Sequence, residues 1–213
     1  ISSTILGVRL INTLEEKIEV LRGLGVEHIV VVPFTDAFAN QIPEDYVRNF
    51  LVEKFQPHTV IIGYDHRFGK NRTATIDDLI RFGTQYGFEV EQISAQEVDA
   101  VSVSSTKVRN ALEEGNVALA SQYLGYDYFF SGTIAEGKKL GRTIGFPTAN
   151  IKIDESFKLI PKNGVYIVSS EIDNEKVYGM MNIGINPTVD GKTQSIEVHF
   201  FDFDQDLYGK RIT

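Results

Sequence analysis

The chain has 213 residues, of which 42% are hydrophobic and 23% charged, a balance that suits a globular protein with one large or two small cores. Its formal charge of -8 disfavours broad binding to nucleic acid or anionic membrane, which needs clustered Lys and Arg. The absence of cysteine excludes disulfides, thiolate metal sites and a thiol nucleophile. No apolar run is long enough to span a bilayer, and no signal-peptide pattern opens the sequence, so the cytoplasm is the expected location.

In chain order, Thr13 and Glu16 have capping-box spacing, and Leu14, Ile18 and Leu21 then line one helical face that Gly25 stops. The β-branched run Ile29-Val30-Val31-Val32 reads as a buried strand. Pro43 opens a helix through Phe55, and Pro57 closes it. A short strand at Thr59–Ile62 leads into a polar loop. A helix over Ile76–Tyr86, with Asp77 and Asp78 at its positive end, stops at Gly87 before a strand at Phe88–Ile93. Strands separated by helices imply a parallel sheet of Rossmann-like type covered by helices.

Two more helices follow, Thr106–Glu114 and Val117–Leu124, broken at Gly115-Asn116. Beyond Gly125 the helical period gives way to short β-prone runs: Phe129–Ile134, Asn150–Ile153, Val165–Ile172, Val177–Asn182 and Ile196–Phe201. Asp173-Asn174-Glu175 makes a hairpin turn. An α/β domain over residues 1–124 and an antiparallel β-barrel domain over residues 125–213 are therefore expected.

The stretch from Gly137 to Asn150 carries the most chemistry. Its glycines Gly137, Gly141 and Gly145 allow close backbone approach to a ligand, while Lys138, Lys139 and Arg142 bring positive charge. A solvated hairpin loop would explain those residues equally well. Pro147-Thr148-Ala149-Asn150 is more specific, because in an extended chain Thr148 and Asn150 project to the same side. Two neutral oxygens with nucleotide phosphates suit Mg²⁺, which rarely takes an all-protein cage. Glu197 and His199 share a strand face by the same period; taken alone, Glu197 reads as an exposed strand carboxylate and His199 as a satisfied polar group.

The Gly141–Asn150 segment resembles the signature of riboflavin kinases. So do Gly164-Val165-Tyr166, Asn182-Ile183-Gly184, Asn186-Pro187-Thr188 and Ile196-Glu197-Val198-His199 with Asp202-Phe203, in matching order over the last ninety or so residues. The resemblance implies a small closed antiparallel barrel that phosphorylates riboflavin with ATP to give FMN. It assigns Mg²⁺ to Thr148 and Asn150, and the ATP phosphates to the segment with Gly137, Lys138, Gly141, Arg142 and Gly145. It makes Glu197 the base that takes the ribityl proton, with Asn182 and Thr188 as further flavin or nucleotide contacts.

Two loops stand out in the first half. Gly63-Tyr64-Asp65-His66-Arg67-Phe68-Gly69 follows a strand, and Ser104-Ser105-Thr106-Lys107-Val108-Arg109 opens a helix. Ligands gather at the carboxyl ends of parallel strands, and helix N-termini attract phosphate; a simple serine N-cap also accounts for the second loop. Together the loops resemble the nucleotidyltransferase module of bacterial bifunctional riboflavin kinase/FAD synthetases, which transfers AMP from ATP to FMN. The resemblance puts Ser105, Thr106 and Arg109 on ATP phosphates and Gly63, Asp65, Arg67 and Phe68 around nucleotide or flavin. His66 stands where the family has an aromatic Phe.

The family's opening strand, Gly-rich turn and His-x-Gly-His motif have no counterpart here, and the family continues into further strand and helix beyond Tyr208-Gly209-Lys210-Arg211. Both activities are therefore expected of the complete protein, with ATP, riboflavin and FMN as small-molecule substrates and FAD as the final product. Two other readings stay open. One is a flavin- or nucleotide-binding fragment without turnover. The other is a cytidylyltransferase fused to a β-barrel interaction domain.

Overall fold

Thr13 accepts a hydrogen bond from the Glu16 backbone at 3.2 Å, and the Glu16 carboxylate accepts one from the Thr13 backbone at 2.8 Å. This reciprocal cap satisfies two orphan donors and starts helix α1, Leu14–Gly23. In the computed structural model, residues 9–95, 97–98, 101–136, 147–188 and 191–213 are described. They fall into two compact units. One is Val30–Val103; the other takes Ser104–Thr213 with the segment up to Ile29.

In the first unit, α2 spans Asp36–Ala39. The helical run α3 then begins at Pro43–Asp45, widens to a π-helix over Tyr46–Val52 and ends at Glu53–Phe55. Strand β1, Thr59–Gly63, pairs in parallel with β2, Glu89–Ile93, from Thr59 opposite Glu89 to Gly63 opposite Ile93. Between them, α4 over Ile76–Tyr86 buries Leu79 and Phe82. Gly87 ends α4 with φ 82°, a conformation that favours glycine. The core combines Val47, Ile62, Phe68, Ala74, Leu79, Phe82 and Phe88. Two short strands, β3 at Glu97–Val98 and β4 at Val101–Ser102, form an antiparallel pair.

The expected strand at Ile29–Val32 is not formed. Residues 26–35 carry no regular structure, and Val30 is 61% exposed. A β-branched run becomes a buried strand only when a neighbour pairs its backbone and another layer covers its side chains. Among the described residues of this unit the parallel sheet consists of β1 and β2, and no strand pairs with this run.

In the second unit, Ser104 caps α5, Ser105–Glu114, and Asn116 caps α6, Val117–Leu124. Val108, Ala111 and Leu112 from α5 meet Ala120 and Leu159 in a small core. Six strands follow: β5 Gly132–Ala135, β6 Ala149–Lys152, β7 Gly164–Ile172, β8 Glu175–Thr188, β9 Gly191–Phe200 and β10 Arg211–Ile212. They form one antiparallel sheet in the order β10-β5-β6-β9-β8-β7. The β7–β8 hairpin turns at Asp173 and Asn174, both with positive φ of 52° and 66°, the geometry that matches strand twist in a tight hairpin. Edge strands β10 and β7 approach each other without joining the hydrogen-bond ladder, so the sheet is a curled half-barrel where a closed one is expected. Its concave face holds Ile134, Met181, Ile183, Ile196, Val198 and Phe200.

Candidate active site

Strand register brings the polar candidates of the second unit together. Asn150 on β6 lies opposite Glu197 on β9, and Glu197 lies opposite Asn182 on β8. Directly opposed residues project to the same face, with Cβ atoms about 4.5–5.5 Å apart. Ile196, Val198, Met181 and Ile183 fill the core side, so this row faces the other way. Asn150 and Glu197 are half-buried and Asn182 is exposed. On the same outer face, Val165 stands opposite Asn182, and Ile167 opposite Met180. These three exposed apolar side chains flank the polar row.

Thr148 lies two residues before Asn150, at the entry to β6, and is also half-buried. It lines a cavity of about 510 Å³ together with Phe203, Asp204, Asp206 and Tyr208. Asn150 lines a second recess of about 440 Å³ with Arg9, Lys152 and Gln194. The imidazole Nδ1 of His199 sits 2.9 Å from the Pro147 carbonyl oxygen, and the ring meets Phe201 edge-on at 5.9 Å. Of Thr188 the structure describes the backbone pairing with Gly191. Gly137, Lys138, Gly141, Arg142 and Gly145 lie outside the described residues.

As to metal, the described residues contain no cluster of three or more His, Cys, Asp or Glu side chains that could hold an ion. The donors on offer are the Thr148 hydroxyl, the Asn150 amide oxygen and the neighbouring Glu197 carboxylate. That oxygen-only, incomplete set fits a hard cation that keeps waters and shares substrate phosphates.

The second unit also holds a contact that sequence reasoning missed. Lys158, 2% exposed, donates to Glu16 Oε2 at 2.5 Å, to the Ile11 carbonyl at 2.6 Å and to the Phe129 carbonyl at 2.9 Å. Glu16 also accepts from the Ser131 backbone at 3.1 Å. Burial pulls the Lys158 ammonium below its ordinary pKa, and the Glu16 carboxylate opposes that shift. The signal in the sequence was Glu16 itself, which fits a capping box so well that it invites no second role.

The helix-start candidates lie on α5 of the same unit. The Ser104 hydroxyl accepts the Lys107 backbone N–H at 3.4 Å, so Ser104 is the N-cap. Ser105 and Thr106, in the first turn, are exposed. The Arg109 Nε donates to the Arg9 carbonyl at 3.2 Å. In the other unit, Gly63 ends β1 and, like Asp65 and Arg67 in the loop that follows, is exposed, whereas Phe68 is 7% exposed and packs on Tyr46. Phe68 also bridges the Ala74 backbone, so its ring anchors the loop to the core.

Residues 124–213 match the riboflavin kinase family and residues 5–107 the FAD synthetase family. The chain is 41% identical over 204 residues to the bifunctional riboflavin kinase/FMN adenylyltransferase of Listeria monocytogenes. It is 39% identical over 210 residues to that of Bacillus subtilis and 37% identical over 203 to that of Escherichia coli. Each match covers 95% of this chain but 64% of the relative. A crystal structure described as a macrolide-efflux protein from Streptococcus pneumoniae superposes with a TM-score of 0.84 at 32% identity, over 95% of this chain and 64% of that one. Both halves are thus matched in order, residues 5–107 by the FAD synthetase family and residues 124–213 by the riboflavin kinase family, as in the relatives named bifunctional riboflavin kinase/FMN adenylyltransferase.

Proposed function

We propose that the second unit transfers the γ-phosphoryl group of ATP to riboflavin, giving FMN and ADP. The observation that carries this reading is the row Asn150–Glu197–Asn182, within the stretch that matches riboflavin kinase. Phosphoryl transfer asks mainly for positioning and for stabilisation of charge on the phosphate oxygens. Glu197 takes the proton from the ribityl hydroxyl as that oxygen bonds to the γ-phosphorus. The bond from phosphorus to the bridging oxygen breaks, and ADP leaves with the electron pair. Thr148 and Asn150 would hold Mg²⁺, which when bound neutralises charge on the phosphate oxygens. Gly137, Lys138, Gly141, Arg142 and Gly145 cover the phosphates, while Asn182 and Thr188 orient flavin or nucleotide.

The match of residues 5–107 to FAD synthetase supports a second activity in the complete protein, adenylylation of FMN to FAD. Ser105, Thr106 and Arg109 would contact ATP phosphates at the positive end of α5. Gly63, Asp65, Arg67 and Phe68 would shape the nucleotide or flavin site in residues 1–124, the proposed adenylyltransferase domain, with residues 125–213 as the kinase domain. The cytoplasm is the proposed location; among the described residues no helix is long and apolar enough to cross a membrane.

One incubation with riboflavin, ATP and Mg²⁺, resolved by chromatography, tests both activities. FMN supports the kinase, and FAD in addition supports adenylylation. Binding of riboflavin with neither product would leave a flavin-binding protein without turnover. Conversion of CTP with a choline-phosphate-like substrate would favour a cytidylyltransferase.

A further inference from the structure

We infer that His199 is a positioning residue for the Pro147–Asn150 segment, and so for the oxygen pair Thr148 and Asn150; the inference rests on the phosphotransfer reading above. The regular β6–β9 ladder begins at Ala149 opposite Val198. One step earlier on β6 it meets Pro147-Thr148, where the proline supplies no backbone N–H to bond. The His199 ring bridges that gap. Its Nδ1 lies 2.9 Å from the Pro147 carbonyl oxygen, across 52 positions of sequence.

A carbonyl oxygen only accepts, so Nδ1 must donate. The bond therefore requires a proton on Nδ1. The Pro147 carbonyl belongs to the peptide group whose nitrogen is that of Thr148. Holding this plane restrains the backbone that carries Thr148 and, two residues on, Asn150. The ring is itself held edge-on against Phe201 at 5.9 Å. A side chain packed against a neighbouring ring and bonded to the backbone beside the proposed ligand pair acts as an orienting group.

Three measurements on the intact chain test this. Long-range ¹H–¹⁵N spectra of the wild type at mildly alkaline pH should show the His199 proton on Nδ1. Mn²⁺ affinity in the presence of ADP, followed by water-proton relaxation, should fall about tenfold in His199→Phe, which keeps a ring but has no donor. His199→Asn should restore most of that affinity, because its amide N–H can reach the same carbonyl, and both variants should melt close to the wild type. A merely structural histidine would lower Tm in both variants and leave the metal affinity of the folded fraction unchanged. A proton on Nε2, or unaltered Mn²⁺ affinity in His199→Phe, would overturn the assignment. If His199→Phe fails to fold, the wild-type tautomer and His199→Asn still decide it. Failure of the wild type to form FMN would instead remove the proposed reaction, while the spectra and Mn²⁺ titration still decide the role of His199.

Discussion

Asn150 and Glu197 stand directly opposite one another on β6 and β9, on the outer face of the half-barrel. The Asn150 amide oxygen and the Thr148 hydroxyl two residues away are the proposed ligands of a hard cation shared with substrate phosphates. Thr148→Ala and Asn150→Ala should each raise the Mg²⁺ concentration needed for half-maximal FMN formation about tenfold or more. A magnesium titration of both variants checks this, and curves coincident with the wild type would remove them as ligands.

The buried Glu16–Lys158 pair gives a sharp stability prediction. All three Lys158 ammonium donors are satisfied, by Glu16, Ile11 and Phe129. Removing one charge of a buried pair leaves the other uncompensated. Lys158→Met or Glu16→Gln alone should therefore cost about 3–5 kcal/mol, whereas Lys158→Met combined with Glu16→Leu should recover much of that loss. Urea unfolding of the set reads the coupling. Strictly additive losses would show that the pair is not energetically linked.

Asp78 yields a pH prediction for the first unit. Its carboxylate accepts the Thr75 backbone N–H at 3.0 Å at the start of α4, and this bond holds its pKa below the ordinary value, aided by Arg81. With the folded pKa depressed, the unfolded chain binds more protons at acidic pH, so the stabilisation is complete above about pH 4 and is lost as pH falls through the folded value. Asp78→Asn should be less stable than wild type by about 0.3–1 kcal/mol near neutrality. The gap should close under acid. A gap that is constant with pH would contradict the charge-based cap.

Local chemistry made much of this fold legible in the sequence. The Thr13 cap, the glycine stop at Gly87 and the Asp173-Asn174 turn depend on neighbours a few positions away, and the structure forms each of them. The Ile29–Val32 run misled because strand formation depends on a partner that sequence does not reveal. The π-helix at Tyr46–Val52 gave no local sign either. Period two placed Glu197 and His199 on one face. It could not say that Asn150 and Asn182 would flank Glu197, because register is set by pairing between distant strands. The Glu16–Lys158 contact, 142 positions apart, lay equally beyond local reading.

The central claim is that Glu197 is the base of a phosphoryl transfer, and one comparison tests it most directly. Wild type and Glu197→Gln are incubated with riboflavin, ATP and Mg²⁺, and FMN formation is timed while thermal unfolding confirms that both are folded. The expected result is FMN from the wild type and a turnover lowered roughly 10²–10⁴-fold in Glu197→Gln, with unfolding unchanged. Equal turnover in the two proteins would contradict the account.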